Sequence, residues 1–271
     1  MRKAVLLFSI LINISLFAQQ GEWFPDKLNI QPFTANMIEP KAGFQFMDNN
    51  KIRLDIGTSS DFYHYTSGNS VLSFGGDLFT YTRLRKEKDF HFPVEAVDYL
   101  FGVNAGYKVT DGDVEYGARF RLSHISAHFV DGQYDYTIAG WRDNTHPRVY
   151  SREFLELFPY YRYEGFRGYV GLTYLFHVSP VEIGKGIYQA GFDYYIPGLV
   201  KAFSPFIAYD FKVAEYEKFY GNNIVTAGIK FGKFNEKGFS VSASYYSGKS
   251  VHGEYFDKNE DYFAFGFNLD L

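Results

Sequence analysis

His124 and Ser126 are separated by a single residue, in a segment where bulky apolar side chains alternate with small or polar ones. Because residues two apart in a β-strand point to the same face, the imidazole and the hydroxyl are neighbours if this segment is a strand. A histidine that takes the proton of a serine hydroxyl makes that serine a nucleophile towards ester carbonyls. The pair therefore predicts acyl chemistry, with Ser126 as the nucleophile and His124 as the general base.

A third residue, Glu153, is placed to orient the imidazole. The alternating segments 114–127 and 150–163 follow one another, and reflecting the chain about a loop centre near residue 139 puts His124 opposite residue 153 or 154. A carboxylate beside an imidazole fixes its tautomer and stabilises its protonated form. We therefore predict that Glu153 completes a catalytic trio with the histidine and the serine.

Three further polar residues flank this trio. His128 continues the same outward row, Asp131 follows in the next loop, and Arg152 precedes the candidate carboxylate. We treat these three as candidate binding residues. His128 and Asp131 would hold a cation or a lipid headgroup, and a solvated loop is the alternative interpretation of both.

The sequence gives no sign of cofactor chemistry. The chain contains no cysteine, which excludes thiolate metal sites and a cysteine nucleophile. The other five histidines lack the spacing of metal ligands, namely His64, His91, His146, His177 and His252. We therefore expect no metal site and no cofactor, with a divalent cation as the alternative.

The chain that must position these residues alternates with a period of two from about residue 41 onward. In its last segment Phe263, Phe265 and Phe267 share one face, while Ala264 and Gly266 share the other. This is the periodicity of β-strands. It predicts ten strands, near residues 70–83, 98–109, 114–127, 150–163, 167–177, 187–196, 204–215, 222–233, 238–249 and 262–271. Two weaker segments, near 41–47 and 51–57, bring the total to about twelve, and residues 58–69 are not assigned.

Such alternation fits either a soluble sandwich with one solvated face or a membrane barrel. The apolar face is bulky in nearly every strand, and aromatic residues make up 21% of the chain. Tight connections (110–113, 163–167, 234–237) also alternate with long ones (85–97, 129–148, 250–261). Short turns at one end and long loops at the other are typical of outer-membrane barrels. We therefore predict an all-β fold, an antiparallel transmembrane β-barrel of about 12 strands over residues 41–271.

The N-terminus predicts export. Residues 1–18 combine a basic start, an apolar run and a small-residue cleavage site, the pattern of a secretory signal peptide. Its removal takes away two of the 27 basic residues and none of the 31 acidic ones. The resulting net charge of about −6 argues against a nucleic-acid partner. Residues 19–40 contain three prolines, and we expect them to form an extended periplasmic segment rather than a strand.

These features predict a protein of the bacterial outer membrane, with the barrel-assembly machinery and outer-membrane lipids or lipopolysaccharide as partners. Polar groups on the hydrocarbon-facing side of a strand are costly, so the outward trio favours a lipid acyl-ester hydrolase. The alternative is a non-catalytic barrel, either a narrow channel or a structural or adhesion protein. In that case the polar residues mark a strand end that enters the headgroup zone.

Two resemblances accompany this interpretation. The stretch His124-Ile125-Ser126 resembles the His-x-Ser pair of the outer-membrane phospholipases A and the lipid A 3-O-deacylases, which carry it on the outward face of a strand. That resemblance implies lipid acyl-ester hydrolysis, with Glu153 as the orienting residue found in the deacylases. Over nearly its full length the chain resembles a bacterial family, the domain of unknown function 1207, which implies an exported barrel-like protein. The residues that carry this second resemblance are Trp23-Phe24-Pro25, Glu39-Pro40, His124 to His128 with Asp131, and Tyr150 to Glu153.

Overall fold

Long antiparallel strands make up most of the chain. The computed structural model describes residues 20–196, 203–234 and 236–270. Its strands are β1 (Gln20–Trp23), β2 (Ala42–Met47), β3 (Lys51–Ser67), β4 (Ser70–Arg85), β5 (Val94–Asp111), β6 (Val114–Phe129), β7 (Tyr134–Asp135), β8 (Gly140–Trp141), β9 (Tyr150–Tyr163), β10 (Phe166–Ser179), β11 (Gly186–Tyr195), β12 (Phe203–Tyr216), β13 (Lys218–Phe231), β14 (Gly238–Lys249) and β15 (Asn259–Asp270). Three short 3₁₀ turns lie at Asp131–Gln133, Arg142–Asn144 and Gly253–Tyr255.

Twelve of these strands form a closed antiparallel barrel. Each pairs with the next along the chain from β2 to β15, apart from the small β7–β8 hairpin, and β15 pairs back onto β2. The prediction of an all-β barrel of about twelve strands is confirmed. Residues 58–67, which the sequence left unassigned, belong to β3. The inward side chains of this part of β3 are polar; Ser59 Oγ, for example, donates to Asp77 at 2.6 Å.

The two ends of the barrel differ in the length of their connections. The end of β15 lies beside the start of β2, with Leu269 opposite Ala42. At this end, which we call the short-turn end, residues 68–69, 112–113 and 164–165 make tight turns. The opposite, long-loop end carries residues 86–93, 130–149 and 250–258. The predicted long loops therefore lie at one end of the barrel. The alternation is not strict, because residues 48–50 and Glu217 make tight connections at that same end.

The wall has an apolar outside and a charged inside. Bulky outward side chains stay exposed in the isolated chain; Leu172 and Phe265, for example, are 53% and 60% exposed. The inward rows hold buried ion pairs instead, such as Arg121 Nε with Glu156 Oε1 at 2.6 Å. Burying such charges is tolerated where they are paired and hydrogen-bonded, as Arg121 and Glu156 are. The pattern is that of a barrel surrounded by hydrocarbon, with a filled polar interior.

The segment that precedes β2 fills part of the lumen. Residues Asn29, Phe33, Asn36 and Glu39 are each buried. Luminal arginines hold the segment at three points: Arg167 Nη1 donates to the Gln31 carbonyl (2.8 Å), Arg53 Nη2 to the Met37 carbonyl (2.7 Å) and Arg119 Nη1 to Glu39 Oε2 (2.9 Å).

This placement corrects the expectation of an extended periplasmic segment over residues 19–40. Residues 29–40 lie inside the barrel, and β1 pairs with the far end of β3. Residues 24–41 do stay out of the ladder. They form bends and turns, for example from the Asn36 backbone N–H to the Phe33 carbonyl at 3.1 Å, and their other carbonyls accept hydrogen bonds from the inward arginines. The predicted signal peptide, residues 1–18, lies outside the described residues. No helix in the described ranges is long and apolar enough to cross a membrane.

Candidate active site

β6 and β9 bring His124 and Glu153 directly opposite each other. His124 Nδ1 lies 2.6 Å from Glu153 Oε1, a hydrogen-bond distance. Both residues belong to outward rows, because Leu122 and Leu155, two positions away on the two strands, are exposed on the outside of the barrel. The pairing is the one that reflection about the intervening loop predicts. An imidazole and a carboxylate are therefore joined on the outer surface.

Ser126 follows His124 on the same outward row and is half-buried. Its neighbours across the ladder are Ser151 on β9 and Tyr99 on β5. In the described part of the chain, the hydrogen bonds of His124 do not include one to the Ser126 hydroxyl. Because Nδ1 is engaged by the carboxylate, Nε2 is the nitrogen left to meet a serine. Hydrogen bonds between a base and a nucleophile are often longer in an unliganded site than in a complex.

His177 on β10 is a fourth member of the site, and it was not predicted from the sequence. Its Nδ1 is hydrogen-bonded to Glu153 Oε2, the oxygen that His124 leaves free. A β-bulge between Leu175 and His177 turns Phe176 and His177 both outward. Strict alternation assigns His177 to the lumen, because Phe176 already occupies the outward row, and a bulge of this kind has no sequence signature here.

The carboxylate of Glu153 is thus held by three side chains. Besides the two imidazoles, Ser151 Oγ donates to Oε1 at 3.1 Å. On the other side of the His124 ring, Phe101 of β5 packs at a centroid distance of 4.9 Å. The imidazole is therefore fixed between an aromatic ring and an anion. This arrangement stabilises an imidazolium and can support proton transfer.

The part of the sequence that runs from β5 to β15 matches the model of a known protein family. Residues 93–270, well over half of the chain, match the family described as "Protein of unknown function (DUF1207)". The chain belongs to the DUF1207 family. The matched range contains every residue of the outward site described above. A comparison with curated proteins gives no match.

A solved outer-membrane barrel shares the fold of this DUF1207 protein, and a second one is a weaker match. Outer membrane phospholipase A from Escherichia coli is 12% identical, with a TM-score of 0.53 over 90% of this chain and 94% of that one. The β domain of a Bordetella autotransporter is 14% identical, with a TM-score of 0.44 over 84% of this chain and 97% of that one. At these identities the likeness concerns the fold alone.

The candidate binding residues occupy three different places in the DUF1207 barrel. His128 is exposed on the outward row, with its ring 6.0 Å from that of Tyr99. Asp131 lies in the first 3₁₀ turn, in the long loop beyond β6. Arg152 faces the lumen, where its guanidinium lies 5.2 Å above the Tyr150 ring. The structure therefore separates Arg152 from the outward site. In the described residues, no group of three or more acidic or histidine side chains is arranged to hold a metal ion.

Proposed function

We propose that this protein resides in the bacterial outer membrane and hydrolyses acyl esters of outer-leaflet lipids. The observation that carries the proposal is the outward His124–Glu153 hydrogen bond of 2.6 Å beside the hydroxyl of Ser126. Bulky apolar rows surround these residues on the outside of the wall, the environment that a lipid substrate shares. In this proposal the short-turn end faces the periplasm. The site then lies towards the outer leaflet, because β6 runs from the short-turn end to the long loops.

The chemistry follows from the three side chains. Ser126 Oγ attacks the ester carbonyl carbon while its proton passes to His124 Nε2. The tetrahedral intermediate collapses, the alcohol of the lipid leaves with that proton, and an acyl-serine remains. A water molecule, deprotonated by His124, then attacks the acyl-serine. The bond to Ser126 Oγ breaks, this oxygen takes back the proton from His124, and the fatty acid is released. Throughout, Glu153 accepts the Nδ1–H bond and stabilises the positive charge that develops on the ring.

Two structural features favour this function over the non-catalytic alternatives. A strand end that simply enters the headgroup zone requires no carboxylate bonded to an imidazole, whereas a histidine that acts as a general base is oriented by one. A conducting pore is opposed by the luminal segment, because residues 29–40 cross the interior of the described barrel. The fold shared with a phospholipase A is compatible with the proposal and does not carry it.

Release of fatty acid by the purified protein tests the proposal. The mature chain, folded in detergent, is mixed with phospholipid or lipopolysaccharide and the released acids are measured by mass spectrometry. Ser126→Ala is expected to lower the rate by about three orders of magnitude or more. Ser123→Ala is the matched control, because this hydroxyl lies on the same strand but is buried on the luminal face, and it should retain most of the activity. Equal rates for Ser126→Ala and the unaltered protein would exclude the mechanism.

A further inference from the structure

A small cavity lies inside the barrel near the long-loop end, on the opposite side of the wall from the outward site. Its volume is about 70 Å³. Most of its lining is apolar and comes from the luminal segment, from six strands and from the loops after β10 and β14. The lining includes Ile38, Ile125, Phe154, Leu175, Ile183 and Ala214. This part of the lumen is therefore mainly apolar, unlike the interior nearer the short-turn end, which is filled by ion pairs.

Two cations, Arg152 and Lys212, line the same cavity. Neither has a carboxylate oxygen within 4.0 Å among the described residues. The residues outside the described ranges contain no aspartate or glutamate side chain that could supply one. The Nε atom of Arg152 is buried without a hydrogen-bond partner. Lys212 Nζ reaches only the amide oxygen of Asn36, at 3.5 Å.

The acidic side chains nearest to this cavity already have other donors. Asp98 accepts from His252 Nδ1 at 2.9 Å and from the Gly253 backbone N–H at 2.6 Å. Asp210 accepts from the hydroxyl of Tyr169 at 2.7 Å, and Glu156 is paired with Arg121. Asp210 and Asp98 act on the two cations only at longer range. Because neither cation has a directly bonded carboxylate, their N–H donors remain open to an anion in the cavity.

We propose that this cavity binds a small aliphatic carboxylate. The guanidinium offers paired N–H donors that suit the two oxygens of a carboxylate, and the ammonium of Lys212 adds a second charge. The isoleucine, leucine and phenylalanine walls take the short alkyl chain. A cavity of about 70 Å³ holds roughly five water-sized groups, the number of heavy atoms in propionate. The site is independent of the proposed hydrolase, because it lies on the inner face of the wall.

Titration calorimetry with sodium propionate tests the site on the full-length mature protein folded in detergent. Saturable binding with one propionate per chain is expected. Arg152→Met and Lys212→Met should each weaken the affinity by about tenfold or more, the usual loss for a hydrogen bond to a charged group. Arg162→Met is the matched control. Its Nε is also buried without a hydrogen-bond partner, but this arginine lies near the short-turn end. Its affinity for propionate should be unchanged.

A cavity-filling variant guards against loss of binding through misfolding. Ala214→Leu keeps both cations and fills the apolar space, so it should abolish propionate binding while circular dichroism shows an intact barrel. The proposal is overturned if propionamide, the neutral analogue, binds as tightly as propionate. It is also overturned if Arg152→Met keeps its affinity, or if no saturable binding occurs.

Discussion

His177 and Glu153 are hydrogen-bonded across β9 and β10 because a bulge after Leu175 turns the histidine to the outside of the barrel. The same carboxylate holds His124 from the other side. Glu153 therefore lies at the centre of a polar line that crosses three neighbouring strands. Its position makes it the residue on which the geometry of the proposed site depends.

Glu153→Gln is expected to lower the rate of ester hydrolysis by about two to four orders of magnitude. The amide keeps the shape of the side chain but cannot stabilise the imidazolium of His124. The effect should fall on kcat, with KM for a micellar ester substrate little changed. Glu87→Gln, an acidic side chain in the loop between β4 and β5, serves as control. A variant at Glu153 that is as fast as the control would remove this carboxylate from the mechanism.

His177 acts in the proposed site as a positioning residue, since it contacts the carboxylate and not the serine. We expect His177→Leu to lower kcat by about tenfold, because Glu153 Oε2 loses its donor. His177→Asn should restore most of the rate, since the amide N–H of asparagine lies near the place of the imidazole Nδ1. Measurement of kcat and KM for both variants checks this. Equal loss in the two variants would mean that His177 supports only the packing of the surface.

The anchoring of the luminal segment depends on Glu39, which is fully buried against Arg119. Glu39→Ala leaves a buried guanidinium without its partner, so we expect a loss of about 3–5 kcal/mol in the free energy of unfolding. Lys27→Ala, which breaks the exposed pair of Lys27 and Glu236, should cost less than about 1 kcal/mol. Urea unfolding of the barrel in lipid or detergent measures both. Similar stabilities for the two variants would contradict this account of the lumen.

The loop of residues 250–258 should loosen as the pH rises. Burial raises the pKa of Glu254 to about 7, against the opposing hydrogen bond from the backbone N–H of Arg148. The folded loop therefore binds a proton more tightly than the unfolded chain does, and its stability falls between about pH 4.5 and pH 7. Amide hydrogen exchange of residues 250–258 at pH 5 and pH 8, corrected for intrinsic rates, should show this difference. Glu254→Gln should remove it, and persistence of the difference in that variant would assign it to another group.

Much of the barrel wall could be predicted because two-residue periodicity records which face each side chain takes. That periodicity, combined with the centre of a loop, also places His124 opposite Glu153. The same periodicity also predicts that Arg152 faces the lumen, because it is the strand neighbour of the outward Glu153. The bulge at His177 breaks the period locally and could not be foreseen. The path of residues 24–41 could not be predicted either, because an irregular segment with prolines has no periodicity that would place it inside or outside the barrel.

The luminal segment constrains the order in which this barrel assembles. Residues 24–41 lead directly into β2, and β2 joins β15 through a ladder of only six residue pairs, Ala42–Met47 against Ala264–Leu269. Since folding chains rarely thread through a closed ring, the first and last strands must meet around the segment rather than ahead of it. Closure of the barrel and capture of the amino-terminal segment thus become a single step of biogenesis, which takes place at the short ladder between β2 and β15.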